Sequence, residues 1–224
     1  MRILPRRYVR GAGMTRRSAK TWSRAVSLAA GIAWLGLGPA GVAAAQAVAG
    51  QPAPAFTRTD TRGTTWSLAA LKGRCVVLEW FNHDCPFTRK HYGSGSMQRL
   101  QAAYTQRGVV WLSVNSSAPG KQGYLLAQEA NALTDAKGAH PSAVLLDPDG
   151  TLGRLYGAKT TPHLFIINPE GVVIYAGAID DQASADPADL AHAANFVQRA
   201  LEEALAGRPV SIPETKPYGC SVKY

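Results

Sequence analysis

The chain has 224 residues, a formal charge of +9, 46% hydrophobic and 8% aromatic residues, and three cysteines. These totals exclude a disordered tail protein, a collagen and a disulfide-dense miniprotein. The charge alone would suggest nucleic acid or an anionic membrane, yet eight of the 24 Lys/Arg lie in the first 24 residues and no acidic residue precedes Asp60. The remainder holds 16 basic against 15 acidic residues, so no nucleic-acid partner is expected.

From Ala25 to Thr57 no residue is charged, and an apolar run from Ala25 to Gly38 directly follows the basic stretch. Small residues at Ala43-Ala44-Ala45-Gln46-Ala47 then suit signal peptidase. Residues 1–47 therefore read as a secretory signal peptide, cleaved near 45–47, starting from Met1 or Met14 and leaving no stable membrane span. An uncleaved anchor is the alternative, but Pro39 and the Gly/Ala content make the segment weakly apolar. Cleavage would place the mature protein in a periplasmic or otherwise extracytoplasmic compartment, where a disulfide persists.

Phe56–Thr59 and Thr64–Trp66 flank Asp60-Thr-Arg-Gly63 as an amino-terminal hairpin, and Ser67 caps a helical turn ending at Lys72-Gly73. Cys75–Phe81 is a nearly unbroken apolar run, which fits a strand buried on both faces of a parallel sheet. A helix follows from Pro86 to Gln106, weakened at Gly93-Ser-Gly95. Val109–Val114 is a second buried strand and Leu125–Lys137 a second helix. Ala143–Leu146, His163–Ile167 and Val172–Ala176 are strands separated by turns at Asp147-Pro-Asp-Gly150 and Asn168-Pro-Glu-Gly171, the last two strands forming a hairpin. Pro187–Ala206 is the final helix, with Leu190, Ala194, Val197, Leu201 and Leu205 on one face. The order β-α-β-α-β-β-α gives an α/β domain over 48–206 with a mixed sheet flanked by helices. Residues 207–224 form an irregular tail that wraps the surface or dangles.

Cys85 falls where a buried strand ends and a helix begins, in Trp80-Phe-Asn-His-Asp-Cys-Pro-Phe-Thr88. Unpaired N–H groups and the positive end of a helix dipole both favour a thiolate there, which makes Cys85 a candidate nucleophile. Cys75, at the start of the strand that ends near Cys85, reads as a small core residue. About 20 Å of extended strand separates it from Cys85, whereas bridged Cα atoms lie within ~7 Å. Trp80, Trp111, Tyr104 and Phe165 also read as core.

The Trp-Phe-x-x-x-Cys-Pro-x-x junction, together with Thr160-Thr161-Pro162 immediately before a strand, resembles the thioredoxin superfamily. More closely, residues 50–206 and the ending Lys216-Pro-Tyr-Gly-Cys-Ser-Val-Lys-Tyr224 resemble exported redoxins of the alkyl hydroperoxide reductase/thiol-specific antioxidant group, in its peroxiredoxin-like branch. The resemblance implies a thioredoxin-like fold and an oxidoreductase acting on thiols, with Cys85 as the redox thiol. It also implies that Thr161 and a cis Pro162 orient a partner beside that sulfur, next to Pro86 and Thr88. Thr88 stands where a thioredoxin-type site has its second cysteine, and Asn82 and Leu78 stand where a peroxiredoxin has its Thr and Pro. Cys220, in a tail long enough to fold back, is the candidate partner of Cys85, either as a resolving thiol or in a structural disulfide.

The implied partners are a thiol or disulfide protein or a peroxide, with an external thiol reductant, and no cofactor. The alternatives are peroxide reduction through a sulfenic acid, and a non-catalytic binding or metal-delivery module. His83, Cys85, His91 and His163 are the set considered for copper or zinc, but without a second nearby cysteine no metal is assigned. His83, His163 and Glu79 are candidates to tune the thiol. Glu79, a carboxylate inside an apolar strand, could relay protons to Cys85, be salt-bridged, or face outwards.

Overall fold

The computed structural model describes residues 46–224, so all but the last two positions of the expected signal peptide lie outside the described residues. Among the described residues, no helix is long and apolar enough to cross a membrane. Strands β1 (Thr57–Thr59) and β2 (Thr65–Ser67) form the amino-terminal hairpin, turned by Asp60, whose carboxylate accepts from the N–H groups of Arg62 and Thr64. Ser67 caps the short 3-10 turn Leu68–Leu71, as expected. The chain then enters the central sheet at β3 (Val76–Trp80).

After β3 the chain runs through α1 (Pro86–Gly93), α2 (Ser96–Thr105), β4 (Val110–Asn115), α3 (Ala127–Ala136) and β5 (Ala143–Leu146). It continues through α4 (Thr151–Tyr156), β6 (Thr160–Thr161), β7 (His163–Ile167), β8 (Val173–Gly177) and α5 (Phe196–Leu205), and ends at β9 (Cys220–Ser221). The five-stranded sheet has the order β5-β4-β3-β7-β8, with β3, β4 and β5 parallel and β7 and β8 antiparallel. It is the mixed sheet flanked by helices that the alternation of elements implies. Alternation along β3 divides the core between the two faces. Val76, Leu78 and Trp80 pack with Leu112, Val114, Leu145, Tyr156 and Phe165; Val77 packs with Trp111, Leu164 and Ile166 beneath α2 and α5.

Four features depart from the sequence reading. The helix expected over Pro86–Gln106 is two helices, because Gly95 adopts a left-handed conformation (φ 73°) and the Ser94 hydroxyl takes the last carbonyls of α1, donating to Lys90 O (2.8 Å) and His91 O (3.0 Å). Met97, Leu100 and Tyr104 nevertheless keep the buried face. The helix expected over Pro187–Ala206 is a 3-10 turn, Pro187–Ala191, followed by α5, with Asn195 capping the Gln198 N–H at 2.8 Å. Leu190 and Ala194 therefore lie off the α5 face, which buries Val197, Ala200 and Leu201 and leaves Leu205 exposed. The third departure is α4, whose Thr151 N–H donates to Asp149 (3.0 Å) and whose Leu152 and Gly153 N–H groups donate to the Asp147 carboxylate at 2.9 and 2.8 Å.

The fourth is the tail, which is neither loose nor irregular near its end. β9 pairs antiparallel with β6, setting Cys220 opposite Thr161 and Ser221 opposite Thr160. Leu112 lies at the middle of the sheet, fully buried. Leu112→Ala should lower the unfolding free energy by about 3 kcal/mol through lost burial and a residual cavity, measured as a lower urea midpoint at unchanged slope.

Candidate functional site

The site is built where β3 ends. The backbone leaves the sheet at Phe81, whose N–H still donates to Val114 O (3.0 Å), and turns on Asn82. The carbonyl of Asn82 accepts from the Cys85 N–H (3.0 Å), and its side chain accepts from the Asp84 N–H (2.9 Å). Cys85 is then the N-cap of α1, with Pro86 at the first helical position, where a missing N–H costs nothing. This fixes the Cys85 sulfur at the positive end of an eight-residue helix. The thiol is fully buried and donates to the Thr161 carbonyl oxygen at 3.0 Å.

The Thr161–Pro162 peptide bond is cis, Thr161 is 3% exposed, and the strand facing it is β9. Cys220 therefore lies within hydrogen-bonding reach of the Cys85 sulfur. Burial alone would push the Cys85 thiol up. The surroundings supplied by Cys220, Thr161 and the start of α1 outweigh it and hold the thiol below its ordinary value. Cys220 moves the other way, to about 11, through burial and the hydrogen bond and charge of Cys85. The arrangement is thus an asymmetric pair of thiols, one held below its ordinary value and the other pushed above it. Both cysteines are free thiols here, as is the buried Cys75, which burial pushes up to about 11.

Several sequence-derived candidates are not at the sulfur. His163 is buried on β7, stacks on Phe165 with ring centroids 4.4 Å apart, and accepts the Lys159 N–H at Nδ1 (3.2 Å). Burial and the nearby Lys159 charge drop it to about 3, so it is a neutral buried histidine whose Nδ1 is taken by the Lys159 N–H. Glu79 is also fully buried, with neither a salt bridge nor an outward orientation. Its carboxyl accepts from Tyr92 (2.8 Å), Gln101 (3.0 Å), Trp111 (2.7 Å) and Ser113 (3.0 Å), none of which leads to Cys85. A sheet strand points successive side chains to opposite faces, and that parity sends Glu79 beneath α2.

His83 lies on the loop beside Asp84 (3.6 Å), its Nδ1 buried without a partner. His91 lies by Tyr218 and Asp180 instead. Among the described residues no group of three His, Cys, Asp or Glu converges as a metal would require, so the Cys/His set is dispersed. Thr88 is buried in the first turn of α1, with its hydroxyl unpaired.

The residues that reasoning from sequence missed are those that hold the tail in place. The Tyr218 hydroxyl donates to Asp180, and its ring packs edge-on against Phe87. The Tyr224 hydroxyl donates to Ala158 O (2.9 Å), with the Arg154 guanidinium over its ring. A signal was present, since Tyr218, Cys220, Val222 and Tyr224 repeat every second residue, the period of a strand.

Residues 49–176 match the model of the AhpC/TSA family. The chain belongs to that family. Its fold is thioredoxin-like, and its solved relatives agree on the architecture. An uncharacterized conserved protein from Geobacillus kaustophilus superposes with a TM-score of 0.66 at 24% identity, covering 79% of this chain and 92% of its own. A thiol:disulfide interchange protein DsbE from Chlorobium tepidum superposes at 0.51 with 25% identity, covering 72% and 98%. Among curated proteins, the thiol-disulfide oxidoreductase ResA of Bacillus subtilis is 26% identical over 125 residues, 56% of this chain. The match spans 64% of that relative, less than two thirds of its length.

Two outcomes follow from the electrostatics. Cys220→Ala removes the leading donor to the Cys85 thiolate, so the pH midpoint for Cys85 alkylation by iodoacetamide should rise towards that of an ordinary thiol. Burial raises the Glu79 carboxyl above its ordinary value, its four donors opposing. The folded state therefore binds that proton more tightly than the unfolded state, and its stabilisation is lost as pH rises through the raised value. Denaturant titrations should show wild-type stability falling over that pH range and Glu79→Gln lacking the decline.

Proposed function

We propose that the protein is an extracytoplasmic thiol–disulfide oxidoreductase whose redox couple is the Cys85/Cys220 pair. The observation that carries this reading is the placement of Cys220 on β9, opposite Thr161 and within hydrogen-bonding reach of a helix-capping thiol held below its ordinary value. Two thiols so placed close a disulfide of about 2 Å with small movements, and open it again when attacked. The couple exchanges two electrons and two protons with a partner. A partner dithiol becomes a disulfide as Cys85–Cys220 is reduced, and the reverse reaction returns the pair to its oxidised form. The names of ResA and DsbE, both thiol–disulfide proteins, support the reaction class.

In this reading the sequence between the cysteines has distinct tasks. Pro86 and the first turn of α1 fix the sulfur, the Thr161 carbonyl accepts its hydrogen bond, and Thr161–Pro162 sets the backbone edge against which Cys220 is held. Residues 48–206 form the redoxin domain, and residues 207–224 supply the second sulfur. The amino-terminal segment would direct this domain to a compartment where the pair can be oxidised.

Peroxide reduction lacks a comparable arrangement. Asn82, in the place of an activating threonine, gives its side chain to the Asp84 N–H and the Gln122 carbonyl rather than to the sulfur. The test is equilibration of wild type, Cys85→Ser and Cys220→Ser in defined thiol/disulfide buffers, followed by an insulin-reduction assay and a peroxide-consumption assay. Wild type should show one two-electron couple with a potential above about −300 mV, whereas a purely structural bond falls below it. Each single variant should lose that couple and at least about a hundredfold in exchange rate, with no variant consuming peroxide faster than free cysteine. Two free thiols in fully oxidising buffer would overturn the assignment.

A further inference from the structure

The tail covers Cys85 and is fastened on both sides of Cys220. Upstream, the Thr215 N–H donates to Ala176 O (3.1 Å), its hydroxyl accepts from the Ala178 N–H (2.9 Å), and Tyr218 is held by Asp180, with His91 3.4 Å from its hydroxyl. Downstream, the Val222 N–H donates to Lys159 O (3.2 Å), Lys223 O accepts from the Ala118 N–H (2.8 Å), and Tyr224 is anchored at Ala158. Between these anchors Gly219 (φ 132°) passes so near Thr161 that a Cβ would stand 2.2 Å from its carbonyl oxygen. The backbone edge at Thr161 is therefore already paired by this chain's own strand. Cys85 beneath it is 0% exposed, whereas Cys220 is partly exposed and Ser221 beside it is exposed.

We propose that Cys220, not Cys85, is the sulfur through which partners enter and leave, with the tail remaining seated. This rests on the redox pair proposed above. A partner thiolate attacks Sγ of Cys220 in the Cys85–Cys220 disulfide, forming a partner–Cys220 disulfide and expelling Cys85 as a thiolate. A second partner thiolate then attacks the partner sulfur of that mixed disulfide, releasing Cys220, which takes up a proton. The partner leaves as a disulfide, and the two electrons reside in the Cys85/Cys220 dithiol. Run backwards, Cys85 never touches the partner, because it closes the ring by attacking Cys220. The leaving sulfur is the one placed at the positive end of α1 and held below its ordinary value, as fast exchange requires of a leaving group. The partner chemistry that fits is a small or flexible thiol able to reach a partly exposed cysteine, rather than a segment that must add a strand at Thr161.

The test uses full-length oxidised protein mixed with glutathione, quenched in acid at successive times and mapped by peptide mass spectrometry. Glutathione should be found on Cys220 at least about tenfold over Cys85. An adduct on Cys85 instead, or none on Cys220 at any time, would overturn the inference while leaving the redox pair intact. If no Cys85–Cys220 disulfide exists before glutathione is added, the underlying reading fails as well, and the starting peptide map reports this separately. Gly219→Val, which drives a side chain into the Thr161 carbonyl, should lift the tail and shift the adduct towards Cys85 by about tenfold. An unchanged distribution in that variant would show that the tail does not shield Cys85, and would likewise overturn the inference.

Discussion

A sulfur anion taken out of water has to be given donors, and the rest of this structure is arranged around that requirement. The sheet ends at Trp80, the loop turns on Asn82, and α1 begins at Pro86, so that Cys85 sits at the positive end of a helix rather than against a hydrophobic wall. A buried thiol with no such partners moves up, as Cys75 does. Cys85 moves down because three separate stretches of chain, α1, β6 and β9, meet around it. Sites of this kind come from topology, since no local segment holds all three.

The central sheet makes the convergence possible. β3 lies between β4 and β7, so its carboxyl end opens towards the start of β7, where the cis Thr161–Pro162 bond turns the chain. β6 is only two residues long and its far edge is free of the main sheet, which leaves one backbone edge to be paired beside the sulfur. The tail takes it. Its hold is made of several modest polar contacts and two tyrosine anchors, an arrangement that seats a short strand firmly without a large apolar interface.

Much of the fold was legible in the sequence because burial on two faces leaves continuous apolar runs, as at Cys75–Phe81 and Val109–Val114, and because the Asp-Gly and Glu-Gly turns punctuate them. The helix breaks were less legible. Gly95 is tolerated in a helix or ends one, and only the Ser94 hydroxyl bonds show which happens. His163 and Glu79 were less legible. Nearness in sequence to Pro162, or a carboxylate in an apolar strand, leaves the facing open, and the packed sheet buries both side chains.

By itself the sequence determined the class of protein, the junction that makes Cys85 a thiolate candidate, and the fact that a second cysteine sits in the tail. Those are properties of short segments, set by hydrophobic period, turn chemistry and helix capping. Tertiary structure alone decided that Cys220 lies against Cys85, that the tail is a strand, and that Cys85 is hidden while Cys220 is partly open. The physical reason is range. Cys85, Thr161 and Cys220 are far apart along the chain, and only the packed sheet brings them to one hydrogen bond and one backbone edge.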